Sequence, residues 1–262
     1  MMDTKKPKYG YVAIKPFMAL GILGIIGVIL AILAFQFFPP FKWLLLGIGI
    51  PLAVIGLWLG LAYARLYKSV FSVDDAGVMW STITGFDKTL QGDEQVLDVG
   101  CGTGRVAIGI AKLLTTGQVV GVDIFEWVSG SSPDIAIENA RIEGVSDRIE
   151  FKHGDAIDLP FEDQTFDLVT MGSVLHEIED EQLKIKALSE VNRVLKPGGR
   201  FVILELLRNR KMFAWLLFFA FVFKPLAYWN NLFGAFTDFE IEEPSIIKAP
   251  IDAAVFSLKK AI

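Results

Sequence analysis

The sequence predicts an α/β domain, a mostly parallel sheet with helices on both faces, preceded by two transmembrane helices. Three observations predict it. Two long charge-free apolar stretches lie near the N-terminus, strand-length and helix-length apolar segments alternate after residue 90, and a glycine-rich turn joins the first strand of that series to its first helix.

Residues 1–16 form a basic tail with Lys5, Lys6, Lys8 and Lys15. No charged residue occurs from Pro16 to Phe41, and after Lys42 none occurs from Trp43 to Ala64. Each stretch exceeds the ~20 residues that cross about 30 Å of hydrocarbon as a helix. The expected spans are 17–38 and 43–64, a hairpin over 17–64 whose short connection, Phe38-Pro39-Pro40-Phe41-Lys42, makes them antiparallel. A cleaved signal peptide is the competing reading, but its apolar region runs ~7 to 15 residues and is not followed at once by a second span. Basic residues gather in the tail and at Arg65 and Lys68, against Lys42 alone in the connection. The tail and the following domain are therefore expected on the cytoplasmic side of a cell membrane. Gly21, Gly24 and Gly27 in the first span, and Gly49, Ala53, Gly56, Gly60 and Ala64 in the second, supply small-residue stripes for packing within the hairpin or for homo-oligomerisation through the transmembrane helices. Pro51 is expected to kink the second span.

Residues 65–92 read as a linker and leading helix, and 93–262 as the globular domain. Strand patterns occur at 95–99, 118–123, 148–154, 166–171 and 200–206, and helical patterns at 106–114, 133–144 and 180–195. Pro133 suits a helix first turn, and Pro197-Gly198-Gly199 reads as a helix stop and turn before a strand. In such a sheet the ligand sits at the strand C-termini.

Composition narrows the chemistry. Apolar residues make up 53% and charged residues 21%, with a mean hydropathy of +0.47, too high for an ordinary soluble domain of this size. Up to Ser72 there are seven basic residues and one acidic, and after it 18 basic and 29 acidic, so the globular part is acidic and nucleic acid is excluded as its main partner. One cysteine excludes a disulfide framework and a multi-cysteine metal site, two histidines leave little for a metal centre, and no metal is expected.

The first strand runs into Val96-Leu97-Asp98-Val99-Gly100-Cys101-Gly102-Thr103-Gly104. Its glycines let the backbone approach a ligand and tolerate positive φ. The spacing is GxGxG, not the GxGxxG of a nicotinamide site. Asp98 would repel a pyrophosphate but suits a cationic ligand end, while Asp123, 23 residues past Gly100, suits a pair of ribose hydroxyls. Together they describe an aminoacyl-type nucleoside without phosphates. Cys101 has no neighbour that would activate it and reads as packing within that loop.

VLDVGCGTGRVA, GVD, GDAIDLPFEDQTFDLVTMGSVLHEI and EVNRVLKPGGRFVILE, in this order, resemble the class I S-adenosylmethionine-dependent methyltransferases, most closely those similar to ubiquinone/menaquinone-biosynthesis C-methyltransferases. The resemblance covers residues 75–207, about half of the chain. It implies a Rossmann-like seven-stranded methyltransferase sheet, closed by antiparallel strands in FEIEEP and AAVFSLKKAI, with S-adenosyl-L-methionine as cofactor. It places Asp98, Gly100, Gly102 and Gly104, with Cys101 and Thr103 of the same loop, along the methionine end. It places Asp123 on the ribose, Ile124 against the adenine, and Asp155 and Ala156 at the adenine edge. Met171, Gly172 and Ser173 would face the methyl group. The sequence departs from the pattern at 125–132, where an extra loop brings Trp127 beside the cofactor, to cap the adenosine, line a substrate mouth or anchor at the bilayer.

Methyl transfer from a sulfonium is an in-line displacement, so the enzyme chiefly aligns the partners and excludes water. His176 and Glu177, after the fourth strand, are the candidate catalytic residues where the acceptor must lose a proton; His153 reads as structural. No Asn/Asp-Pro-Pro-aromatic motif of nucleic-acid methyltransferases follows that strand. The segment 211–236 contains MFAWLLFFAFVF, flanked by basic residues, too short to span and suited to lie at a membrane interface with Trp215, Tyr228 and Trp229 at its borders. The expected function is methyl transfer to a hydrophobic, lipid or isoprenoid-type acceptor at the cytoplasmic membrane face, with membrane lipids as partners. Transfer to small membrane-partitioning thiols, amines or phenols, and a silent cofactor-binding scaffold, are the alternatives.

Overall fold

The computed structural model describes residues 7–9, 22–30, 32–33, 42–66, 89–125, 131–248 and 252–262. Residues 22–30 and 32–33 are helical, and α1 (Lys42–Leu66) is a helix of 25 residues with Pro51 inside it. The two helical stretches touch at small residues. A Cβ on Gly24 would stand 2.8 Å from the Ala53 Cα, so a larger residue would force the backbones apart. Among the described residues no helix is long and apolar enough to cross a membrane, so the expected two-span hairpin is not supported at this level.

The globular part is built on β1 (Gln95–Val99), α2 (Arg105–Ala111), β2 (Gln118–Asp123), α3 (Pro133–Ile142), β3 (Ile149–His153), β4 (Phe166–Gly172), α4 (Glu181–Val194) and β5 (Leu195–Leu206). It continues through α5 (Arg210–Leu216), a 3-10 helix (Leu217–Val222), α6 (Leu226–Gly234), β6 (Phe239–Ile241), β7 (Ser245–Ile247) and β8 (Ala253–Lys260). The sheet order is β3-β2-β1-β4-β5-β8-β6, with β1 to β5 parallel and β8 antiparallel to its neighbours. Because β1 sits between β2 and β4, the loops leaving β1 and β4 diverge and open a crevice at the strand C-termini.

Both sheet faces are covered, as a parallel sheet requires. Strand alternation sends Val96, Leu168 and Val202 into one core with Ala107, Ile108 and Ala140, and Leu97, Val169 and Ile203 into the other with Leu188, Val191 and Trp229.

Three sequence expectations need correction. The sheet has eight strands, not seven, because its last position is shared: β6 pairs with residues 258–260 of β8 and β7 with residues 253–255. Pro197-Gly198-Gly199 does not precede β5 but bulges from it. Phe166 pairs with Leu195 while Leu168 pairs with Arg200, and Gly198 takes up the excursion at φ 76°. The segment 211–236 also divides in two. Phe213, Phe221 and Val222 are exposed, but Trp229, Leu232 and Phe233 of α6 are core residues, with Phe233 edge-on to Phe256 at 4.8 Å. Trp229, expected at a membrane border, is fully buried because α6 turns back onto the sheet.

The chain leaves the sheet at Leu207 and returns beside it at Lys224, where the Arg208 N–H donates to the Lys224 carbonyl at 2.9 Å. Asp252 fixes the base of this excursion, accepting from Asn209 at 2.9 Å and pairing with Lys211 at 3.0 Å. Its far side, α5, packs against α1.

Candidate active site

The crevice holds a cavity. Gly100, Gly102, Thr103, Asp123 and Ile124 line its β1–β2 side, Asp155 and Ala156 the end of β3, and Ser173 and Glu177 the segment after β4. These nine of the expected residues come together from the ends of four strands, β1 to β4, and so from the first three of the four motifs. Ser131, Gly154, Val174 and Ile178 complete the wall. The sequence marked Gly154 only through its neighbour Asp155, and it gave no signal for Ser131 beyond the inserted loop.

The loop geometry follows from its glycines. Gly100 turns at φ 71°, and the Gly100 and Cys101 N–H groups both donate to the Val122 carbonyl, at 2.8 and 3.0 Å. Gly102 turns at φ 54°, and a Cβ there would meet nothing within 4 Å, so the loop presents bare backbone to open space. Such a cradle fits a ligand that must approach closely. Asp123 braces it. Its Oδ2 accepts from the Gly102 N–H at 2.9 Å, and its Oδ1 from the Phe125 N–H at 2.6 Å and the Ser131 hydroxyl at 3.5 Å. One carboxylate thus ties the glycine loop to the chain after β2 while lining the cavity. Ser173 holds φ 61°, costing on the order of 1 kcal/mol for a residue with a Cβ, and its N–H donates to the Leu204 carbonyl at 2.7 Å.

Other expected residues do not line the cavity. Asp98 is 1% exposed and turned away from the cavity. Its carboxylate accepts from the Thr170 hydroxyl at 2.8 Å and from the Ala107 N–H at 3.1 Å, capping the first turn of α2, whose Gly104 N-cap has no side chain to do so. Burial drives its pKa up to about 7 against these two hydrogen bonds, and the nearby Asp123 charge adds to the rise. Cys101 is buried, with its thiol pushed well up by burial, and packs rather than lining the cavity. Gly104 lies beneath the Phe151 ring. Met171 is 0% exposed within the sheet core, and Gly172 ends β4 without reaching the wall, so of that trio only Ser173 does. Trp127 lies outside the described residues.

His176 and Glu177 part company. Glu177 is exposed and lines the cavity. His176 points instead at the 208–224 excursion, with its ring 4.8 Å from Phe223. Its Nδ1 lies 2.8 Å from Oε2 of Glu205, a fully buried carboxylate on β5 whose Oε1 accepts from the Leu175 N–H at 2.9 Å. Burial depresses the imidazole pKa, but the hydrogen bond and charge of Glu205, with Glu177 nearby, outweigh it and the net shift is upward. Lys184, buried at the start of α4, donates to the Ile178 and Glu179 carbonyls and so pins the turn that carries Glu177. Among the described residues no cluster of three His, Cys, Asp or Glu side chains is placed to hold a metal ion.

Residues 96–199 match the model of a family described as a methyltransferase domain. Over 129 residues the chain is 40% identical to a demethylmenaquinone methyltransferase of Lactiplantibacillus plantarum, covering 48% of this chain and 51% of that one. A demethylmenaquinone methyltransferase of Symbiobacterium thermophilum is 37% identical over 139 residues, covering 52% and 53%. The chain spans about half the length of the curated relatives it matches. A solved SAM-dependent methyltransferase of Methanosarcina mazei has the same fold, with a TM-score of 0.56 at 24% identity over 66% of this chain and 95% of that one.

Proposed function

We propose that this chain, in which residues 96–199 match a methyltransferase domain, uses S-adenosyl-L-methionine to methylate a hydrophobic, quinone-type acceptor taken from the cytoplasmic face of a membrane. The observation that carries the reading is the cavity walled by the Gly100–Thr103 loop, Asp123, the Asp155–Ala156 turn and Glu177. The cofactor supplies an electrophilic methyl group; the chain supplies alignment and a dry wall. Asp123 offers carboxylate oxygens to hydroxyl donors, and the bare Gly102 backbone admits a close-lying ligand. Glu177 is the carboxylate placed to accept a proton from an acceptor hydroxyl or ring carbon, while His176, held by Glu205, shapes the adjoining wall. The quinone-type acceptor is supported by the likeness to the demethylmenaquinone methyltransferases.

Membrane anchoring by the 17–64 hairpin belongs to the same proposal. Its support is the pair of charge-free apolar stretches at 16–41 and 43–64, the close Gly24–Ala53 contact and the apolar side chains that α1 leaves exposed, among them Ile50, Leu52, Val54 and Leu57. Phe221 and Val222, exposed beside α5, extend the apolar surface, and Arg208 stands 5.7 Å from the Phe221 ring, an arrangement suited to an interface of headgroups and acyl chains.

The test is transfer of labelled methyl from S-adenosyl-L-methionine by the purified chain, given total membrane lipid extract or the water-soluble metabolite pool. Label entering the organic phase on a quinone is the expected result. Label confined to the aqueous pool would overturn the acceptor assignment and leave small thiols, amines or phenols.

A further inference from the structure

A short piece of the N-terminal tail is built into the domain beside the cofactor loop. Tyr9 is 6% exposed and belongs to the core that contains Ala107, Ala111 and Ala140. Its hydroxyl donates to Glu143 at 3.1 Å, and Glu143 in turn pairs with Lys112 of the neighbouring turn. One residue earlier, the backbone of Lys8 meets the side-chain amide of Asn139 on both sides. The Lys8 N–H donates to Asn139 Oδ1 at 2.7 Å, and Asn139 Nδ2 donates to the Lys8 carbonyl at 3.1 Å.

The second N–H of the Asn139 amide is committed elsewhere. It donates to the Thr103 carbonyl at 2.9 Å, and Thr103 lines the cavity between the two glycines. Asn139 is 1% exposed, so this amide sits between tail and loop with its donors and acceptor all engaged. A flipped amide would set its oxygen against two carbonyls and its nitrogen against the Lys8 N–H. The tail therefore selects the orientation that holds Thr103.

We propose that Pro7–Tyr9 is a strap that acts through Asn139 as a positioning residue, fixing the cofactor loop in its binding conformation. Cofactor affinity then depends on a segment far away in sequence, immediately before the apolar helical region. The coupling is reciprocal: what the strap does for the cofactor, the bound cofactor does for the strap.

Calorimetric titration of the full chain with S-adenosyl-L-methionine tests this. Lys8→Pro removes the donated N–H without touching the core, and Tyr9→Ala undocks the strap. Each is expected to weaken binding by about 3- to 10-fold, the loss of one or two hydrogen bonds, with kcat at saturating cofactor unchanged. Asn139→Ala should do the same, and Tyr9→Ala combined with Asn139→Ala should be no worse than Asn139→Ala alone. Amide exchange at Lys8 and Tyr9 should slow when cofactor is added. Wild-type affinity in both strap variants, or exchange at Lys8 and Tyr9 indifferent to cofactor, overturns the proposal. A merely structural tail would lower the unfolding midpoint while leaving affinity as it was. The wild-type titration reports on the cofactor site independently of the strap.

Discussion

Replacing Asp98 with Asn should make the cofactor-free chain's stability less sensitive to pH in a calculable way. The carboxyl is buried with a folded-state pKa of about 7, against 3.8 for the free group. A raised carboxyl pKa means that the native state holds a proton the unfolded chain releases, so stability falls as pH rises between these two values. The gap of about 3 pK units corresponds to about 4 kcal/mol at 1.36 kcal/mol per unit. Most of that, about 3 kcal/mol, is lost between about pH 5 and about pH 8. Asn keeps an oxygen for the Ala107 N–H, and the Thr170 hydroxyl can turn to accept from the new amide. Any change in those hydrogen bonds is independent of pH and cancels when the two conditions are compared. The assay is guanidinium unfolding of wild type and variant, followed by tryptophan fluorescence, near the two ends of that window. Asp98→Asn should gain about 3 kcal/mol on wild type from the acid to the alkaline condition. A stability difference that does not change with pH would refute the reasoning and return Asp98 to an ordinary solvated carboxylate.

Five further outcomes are expected. Asp123→Ala should weaken cofactor binding by about 1 to 3 kcal/mol in calorimetry, because it removes both the loop brace and a ligand partner. Glu205→Gln should lower the His176 pKa, visible as an imidazole titration shift in NMR; since the raised pKa stabilises the fold below about pH 6.5 and that contribution fades as pH rises through the folded value, the variant's stability deficit should be largest in acid. His176→Ala should leave cofactor affinity intact while slowing transfer, and equal turnover would assign the residue to structure alone. Trp229→Ala should cost about 3 to 5 kcal/mol by emptying a core site, whereas Phe221→Ala at an exposed position should spare stability and weaken association with anionic vesicles.

The parallel strands were legible because a strand buried on both faces reads as a continuous apolar run, and β1, β2 and β4 stand almost where those runs do. The glycine loop and Asp123 were legible for a similar reason: their spacing follows from the geometry of a strand–turn–helix. Side-chain direction at the strand ends was not. Asp98 shares its strand face with Val96, beneath α2, and stands in register with Thr170, so its partner lies across the sheet, 72 residues on. Glu205 carried a signal, an acid inside the apolar run FVILEL that needs a buried partner. Which partner it takes depends on β5 lying beside β4, a fact of topology rather than of spacing. Trp229 misled because an aromatic next to basic residues reads the same whether its helix faces lipid or folds back onto the sheet. The short β7 has three residues and no periodicity to read.

The divided last position of the sheet bears on how this chain avoids its own kind. An uninterrupted outer strand would offer a row of unpaired N–H and C=O groups on which a strand from a second molecule could grow. Here that margin is two runs of three residues, β6 and β7, parted by Glu242, Glu243 and Pro244. Pro244 has no N–H to donate, and Glu240, Glu242 and Glu243 place negative charge along the break. A chain this rich in apolar residues carries, at this flank of its sheet, a built-in guard against edge-to-edge aggregation.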